Sequence, residues 1–351
     1  MLITTNNLNI LRFIAALNVT YQHTYPLVFN TGYGVDFFAN FVMPVSLFFL
    51  ISGFLITKSY IKNPSIFTYF RNRFLRIFPG LFICVLFTIL IIGPLATSLS
   101  LKEYFLSKKV WDYFFNNISL NIDFILPGVF ENNMYKNAVN GSLWTIPLEI
   151  YCYLLVAFFG ITHIIKKNKV IISFLLIILF YYLIISKFFS FSVPDSFPEI
   201  IKSNANITCI TYFFIGIVFY LNFNKIKFNN KLGILSILIY SIILYLDLKL
   251  NVRNSYVNII NKIIVFPYMI FYFAFFVDLK FEFLKNFGKN YDLSYGIYIY
   301  SFPISQSLMY FYNNQISFWH HFILSMLIAM IFAFLSFKFI EKPCLNLKKY
   351  N

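Results

Sequence analysis

Residues Arg12 to His23 read RFIAALNVTYQH, an arginine and a histidine bracketing ten mostly apolar residues. In a water-soluble helix the stretch would be ordinary. In a bilayer it would carry two expensive side chains, so its meaning depends on its surroundings, and those are apolar. Sixty per cent of the 351 residues are hydrophobic and 12% are charged, against about a quarter charged in a typical soluble domain. A soluble chain of this length has no core large enough to hide so much apolar surface. Several runs reach the roughly 20 residues that a helix needs to cross a membrane. They are continuously apolar rather than alternating, which excludes a β-barrel. The fold class expected is all-α: a polytopic membrane protein forming one membrane-embedded domain over residues 1–351.

Ten spans are expected, near 8–28, 37–57, 76–96, 143–164, 170–188, 207–222, 232–250, 259–277, 292–312 and 320–340. The loops 58–76, 166–169, 225–231 and 278–291, with the end of the chain from Lys338, carry 18 Lys and Arg, while the opposite side holds 9. Lysine and arginine bias sets orientation, so the first group is expected to be cytoplasmic. Both termini then lie in the cytoplasm, as an even number of spans requires. The net charge of +15 is thereby read as topology rather than as a nucleic-acid footprint. Cys84, Cys152, Cys209 and Cys344 are scattered without CxxC spacing, which supports neither a disulfide framework nor a metal site. The N-terminus lacks a cationic leader and a cleavage site, and reads as a retained first span. The longest connection, about 97–142, holds the LPG turn at Leu126–Gly128 and is expected to form a partly ordered cap.

Ionisable groups inside spans are functional candidates because each costs at least a few kcal/mol at the bilayer centre. Arg12, His23 and Glu149 are the three that stand out. Eleven residues turn a helix by about 1100°, so Arg12 and His23 share one face, about 16 Å apart along the axis. Asn9, Ala16 and Thr20 lie near that face, making it small and polar, suited to a bundle interior or a watery cavity. Blander readings stand beside these. Arg12 near a helix end can snorkel to the interface, and His23 can hold two helices together by a hydrogen bond. Histidine is nevertheless the side chain best matched to proton transfer near neutral pH. Glu149 lies in GSLWTIPLEIYCYLL, where Pro147 is expected to free a carbonyl and bend the entry turn.

The stretch RNRFLRIFP places Arg71, Arg73 and Arg76 directly after the second span, in a chain whose other cytoplasmic loops use lysine almost alone. They serve either as topological anchors or as a phosphate clamp, for which guanidinium forks are suited. Pro79 beside them reads as a shaped loop mouth. In FFLISGFLI, Ser52 and Gly53 fall mid-helix, where small residues let helices approach closely. Ser52 lacks the local base that a nucleophile would need.

Arg12 and His23 with ten residues between them, FFLISGFLI at 48–56, RNRFLRIFP at 71–79, SLWTIPLEIYCYLL at 142–155, LSYGIYIYSFP at 293–303 and FIEKP at 339–343 together resemble the acyltransferase family 3 of integral membrane proteins. Each motif is weak alone, and their order across nearly the whole chain makes the set specific. The resemblance implies an acyl-coenzyme A donor, acetyl-CoA as the usual case, and an O-acyltransferase acting on extracytoplasmic glycans from the bacterial plasma (inner) membrane. It implies His23 as the catalytic histidine, with Arg12 and Glu149 in the catalytic set, and Arg71, Arg73 and Arg76 near the coenzyme. No metal is implied. The expected partners are acyl-CoA, a surface glycan or lipid-linked oligosaccharide acceptor, and the lipid bilayer. One departure is Ser301, where many relatives carry a histidine. Two alternatives of other classes are a glycan or lipid flippase, which would be expected to show paired broken helices, and a proton-coupled transporter using His23 and Glu149 as a relay.

Overall fold

The computed structural model describes residues 6–32, 36–136, 138–188, 204–250 and 256–350, and of the cations counted for topology Lys202 and Arg253 lie outside them. Among the described residues there is no strand, only an isolated bridge between Thr97 and Val129. The α-helices, in chain order, are α1 Leu8–Phe29, α2 Phe37–Val42, α3 Pro44–Lys62, α4 Ile66–Phe87, α5 Gly93–Ala96, α6 Leu101–Leu106, α7 Lys108–Ile118, α8 Thr145–Ile161 and α9 Asn168–Phe188. They continue with α10 Asn204–Leu221, α11 Asn230–Leu250, α12 Tyr256–Ile260, α13 Phe266–Phe275, α14 Glu282–Lys285, α15 Ser294–Phe311, α16 Phe318–Ser336 and α17 Lys342–Asn346.

Each of the ten expected runs falls on helical structure, and among the described residues five helical stretches are long and apolar enough to cross a membrane: Phe37–Lys62, Ile66–Ala96, Asn230–Leu250, Val257–Phe275 and Phe318–Asn346. The chain is a multi-pass membrane protein in its composition and helix lengths. Helices α1 and α15 have the length, 22 and 18 residues, but not the uniform apolarity. They carry the buried polar side chains Asn18, Thr20, His23 and Thr24, and Ser301, Ser305 and Gln306 respectively.

Two expectations are corrected. Helix α4 begins at Ile66, ten residues before the run at 76, so Arg71, Arg73 and Arg76 are helical and Pro79 lies inside the helix rather than at a loop mouth. The start is set locally, since Asn63 Oδ1 accepts from Ser65 N and Ser65 Oγ accepts from Thr68 N, both at 3.3 Å; this is the side-chain capping that orphan first-turn amides require. Pro147 is the third residue of α8, a position whose N–H has no intrahelical partner, so it fits the first turn and breaks no bond.

Among the described residues, three π-helical turns, Thr88–Ile92, Asn261–Val265 and Phe337–Glu341, each end directly before an X-Pro pair closing at Pro94, Pro267 and Pro343. Proline donates no hydrogen bond and its ring crowds the carbonyl four residues back. A widened turn moves that carbonyl aside and lets the helix continue.

The described chain divides into two compact units. The first comprises Met1–Ala15, Val35–Tyr69 and Leu148–Phe287, and the second Ala16–Gly34, Phe70–Pro147 and Gly288–Asn351. In the first, α3 and α10 approach through glycines: a methyl group on Gly53 would sit 2.0 Å from the Phe213 carbonyl oxygen, and one on Gly216 would sit 2.2 Å from that of Leu50. The role expected for the small residues of α3 is thus the observed one. Phe54 beside this contact packs its ring 5.0–5.6 Å from Tyr220, Phe223, Phe271 and Phe275.

In the second unit, α15 and α16 are close-packed, with a methyl on Gly296 falling 2.7 Å from Ala333 Cβ. Pro303 interrupts α15 and so leaves the Ile299 carbonyl without its i+4 donor. That oxygen instead accepts from Asn140 Nδ2 at 2.9 Å and Cys84 Sγ at 3.3 Å. The connection 97–142 contains α6 and α7, and its later part is clamped to α15 by Gln306. Nε2 of Gln306 donates to the Tyr135 and Ala138 carbonyls, each at 2.8 Å, while Asn133 Nδ2 donates to Gln306 Oε1 at 2.8 Å.

Candidate active site

Glu149 and Arg12 belong to the first unit, while His23 and the three arginines belong to the second. Glu149 is half-buried on α8. Its Oε1 accepts from Ser52 Oγ at 3.3 Å and from the Tyr153 hydroxyl one turn on. The Tyr153 carbonyl in turn accepts from Tyr69 Oη at 3.0 Å. The carboxylate is therefore held by two hydroxyl donors, which fixes its direction without neutralising it. Ser52, expected to matter only by its size, is one of those donors. Arg12 is half-buried. The turns around it are fastened within the same unit, Asn7 Nδ2 donating to the Phe273 and Val277 carbonyls at 2.8 Å and the Phe13 ring meeting Phe287 at 5.0 Å.

In the second unit His23 is 6% exposed, and Ala16, Thr20 and Thr24 on the same stretch of α1 are fully buried. The small polar face read from the sequence is an inward face here. The imidazole meets the Phe302 ring edge-on, 5.0 Å between centroids and 81° between planes. The other side of that neighbourhood is the segment before α8, where a side chain on Gly141 would strike Phe302 at 2.7 Å. Asn140 pins this segment twice, through Nδ2 to Ile299 O and through Oδ1, which accepts from Ser142 N at 3.1 Å. Glycine is thus required at 141 by the closeness of the ring that supports His23. Ser301, the departure noted in the sequence, is fully buried.

A second imidazole lies in this unit, unnoticed in the sequence. His321 on α16 is fully buried, with Nε2 3.1 Å from the Ser305 carbonyl and Nδ1 3.4 Å from Thr24 Oγ1. The signal that marks it is a stripe at four-residue spacing: His321, Ser325, Ala329 and Ala333, all fully buried in a helix otherwise rich in large apolar side chains.

The helical state of α4 changes the arginine group. At 100° per residue, Arg73 and Arg76 lie about 60° apart around the axis, while Arg71 lies about 140–160° from both. The three do not form one fork. Arg76 Nη2 is paired with Asp292 Oδ2 at 2.7 Å, and Asp292 Oδ1 also accepts from Ser294 Oγ at 2.6 Å at the start of α15. The third cation beside Arg73 and Arg76 is Lys348, beyond the last apolar helix. Its partial burial, and then the charges of Arg73 and Arg76, pull its ammonium down to about 7. Two guanidinium groups and a lysine in one partly desolvated cluster make a donor set suited to phosphate oxygens.

Against this geometry the similarities can be weighed. The chain is 26% identical over 356 residues, covering 95% of its own length and 94% of the other's, to an O-acetyl transferase of Shigella phage Sf6. It is 31% identical over 167 residues, 42% of each chain, to nodulation protein 10 of Rhizobium leguminosarum bv. viciae. No solved structure matches it. The sequence pattern of the acyltransferase domain runs from residue 5 to residue 338, across both units. The chain belongs to acyltransferase family 3.

Proposed function

We propose that this protein is an acyl-CoA-dependent O-acyltransferase of the bacterial plasma membrane, moving an acetyl group to a hydroxyl of a surface glycan or of its lipid-linked precursor. The observation that carries the reading is a buried, inward-facing histidine in the first span of an acyltransferase-family chain, supported on an aromatic ring that Asn140, Gly141 and Pro303 hold in place. Family membership favours this over a flippase or a proton-coupled transporter.

Coenzyme A supplies an activated thioester and a phosphate-rich handle. The donor set of Arg73, Arg76 and Lys348 suits that handle, with Asp292 holding Arg76 in place; Arg71 lies on another face of α4. His23 takes the proton of the acceptor hydroxyl as it attacks and delivers it to the departing sulfur, a general base and then a general acid. Arg12 and Glu149 complete the proposed catalytic set on the strength of their motif positions. Glu149 kept as an oriented carboxylate by Ser52 and Tyr153 is suited to steadying positive charge, and Arg12 to steadying negative charge.

The test compares surface glycan from a deletion strain with glycan from the complemented strain by mass spectrometry. The reading requires a mass difference equal to one acetyl group on a sugar fragment, lost in the deletion and restored by the gene. Identical glycans in both strains would overturn it.

A further inference from the structure

The two hydrogen bonds of His321 constrain each other. A carbonyl oxygen only accepts, so the Ser305 carbonyl 3.1 Å from Nε2 requires the hydrogen on Nε2. Nδ1, 3.4 Å from Thr24 Oγ1, is then an acceptor in the neutral ring. The Thr24 hydroxyl has one hydrogen and two claimants, Nδ1 and the Thr20 carbonyl at 3.0 Å. The Thr20 carbonyl already accepts within the helix, so giving the hydrogen to Nδ1 leaves nothing unpaired. The ring thus bridges α1 and α15 in a single tautomer.

Both ends of that bridge adjoin the support of His23. Thr24 is the residue after it, and Ser305 is one turn beyond Phe302, the ring on which the His23 imidazole rests. Thr24, Ser305 and His321 are all fully buried, where water does not compete for these bonds and their geometry is stiff.

We propose that His321 is a positioning residue for His23: by tying the Thr24 hydroxyl of α1 to the Ser305 carbonyl of α15, it fixes where against Phe302 the His23 imidazole is presented. The inference rests on the reading of His23 as the general base. It follows that removing the bridge degrades turnover rather than coenzyme binding, because reaction geometry is sensitive to displacements of about 1 Å.

The test uses membrane vesicles carrying the full chain, radiolabelled acetyl-CoA and the glycan already in those vesicles. His321→Ala and Thr24→Val are made singly and together, with Thr24→Ser as the conservative control. Each single change is expected to lower turnover about 10- to 100-fold with KM for acetyl-CoA within about twofold. The double variant should be no slower than the worse single one, since both remove the same bridge. Thr24→Ser, which keeps the hydroxyl, should stay near the parent. Thr24→Val is nearly isosteric and carries the test by itself if His321→Ala does not fold. Turnover within twofold of the parent for Thr24→Val, losses that multiply in the double variant, or a loss matched by an equal drop in folded protein would each overturn the inference. His23→Ala working at the parent rate overturns the base reading and this inference with it. An inactive His23→Ala beside an unchanged Thr24→Val overturns this inference alone.

Discussion

The two units bury different things. Of the 26 polar or charged side chains that are buried among the described residues, 18 belong to the second unit, although it is the smaller. The remaining eight, in the first unit, include side chains with a partner within that unit. Thr57 returns its hydroxyl to the Gly53 carbonyl at 2.7 Å, and the carboxylate of Asp247 has Lys262 at 4.0 Å. Its helices meet through glycines and phenylalanines, which is how spans associate when lipid is as apolar as the interface. The second unit carries His23, His321, Asn140, Gln306 and a set of serines. Four of those, Ser142, Ser301, Ser305 and Ser325, have buried hydroxyl oxygens with no hydrogen-bond partner among the described residues. An unpaired buried hydroxyl costs about 1–3 kcal/mol. A bundle selected for stability alone would shed such groups, so chemistry has marked the second unit more heavily than the first, which holds Glu149 and Arg12.

The contrast is open to attack from both sides. The largest effect is expected at Gly53→Val, whose Cβ would overlap a backbone carbonyl of α10. It should abolish the folded first unit, read as loss of the monodisperse peak in detergent size-exclusion chromatography; a normal peak would show that the glycine contact is dispensable. Next is the Arg73→Gln, Arg76→Gln pair in the second unit. Charge-assisted bonds contribute about 1.5–3 kcal/mol each, so acetyl-CoA affinity should fall about 100-fold or more while the chromatographic peak is retained. Arg71→Gln should cost much less, because it lies on another face of α4. Equal losses for all three would restore the single-clamp reading.

A smaller effect concerns pH. With its ammonium pulled down to about 7, Lys348 is neutral in a growing share of molecules as pH rises from 7 to 9. A bound phosphate favours the charged form and raises that value, so binding takes up a proton in this window. Acetyl-CoA affinity should therefore weaken a few-fold from pH 7 to 9, and Lys348→Gln should flatten the dependence. An unchanged slope in that variant would exclude the lysine from the cluster. The smallest effect is Ser301→Ala, which deletes an unpaired hydroxyl. Its melting temperature should match or exceed the parent's, whereas a marked fall would mean that the serine has a structural partner.

Much of this architecture is legible in the sequence because bilayer thickness makes helices long and apolar. All ten runs correspond to helices, and the Arg12–His23 spacing correctly places His23 on a buried stretch of α1. The start of α4 is written in Asn63-Pro64-Ser65, a capping pattern that lies more than ten residues ahead of the expected run at 76. His321 and Lys348 were not legible for a different reason. His321 gains meaning from Thr24, 297 residues away, and Lys348 from arginines more than 270 positions earlier. Local patterns report faces and caps, while contacts between distant elements report sites. Ser301 shows the converse: a local motif flags the position, and the structure adds that its serine is fully buried.

The proton transfer falls to the buried imidazole of His23. The most direct measurement is incorporation of label from radiolabelled acetyl-CoA into surface glycan by vesicles bearing the parent or His23→Ala, matched for folded protein. The rate is expected to fall about 10²- to 10⁴-fold, the usual contribution of general acid–base catalysis, with acetyl-CoA affinity within about twofold of the parent. Transfer at the parent rate by properly folded His23→Ala would contradict this role.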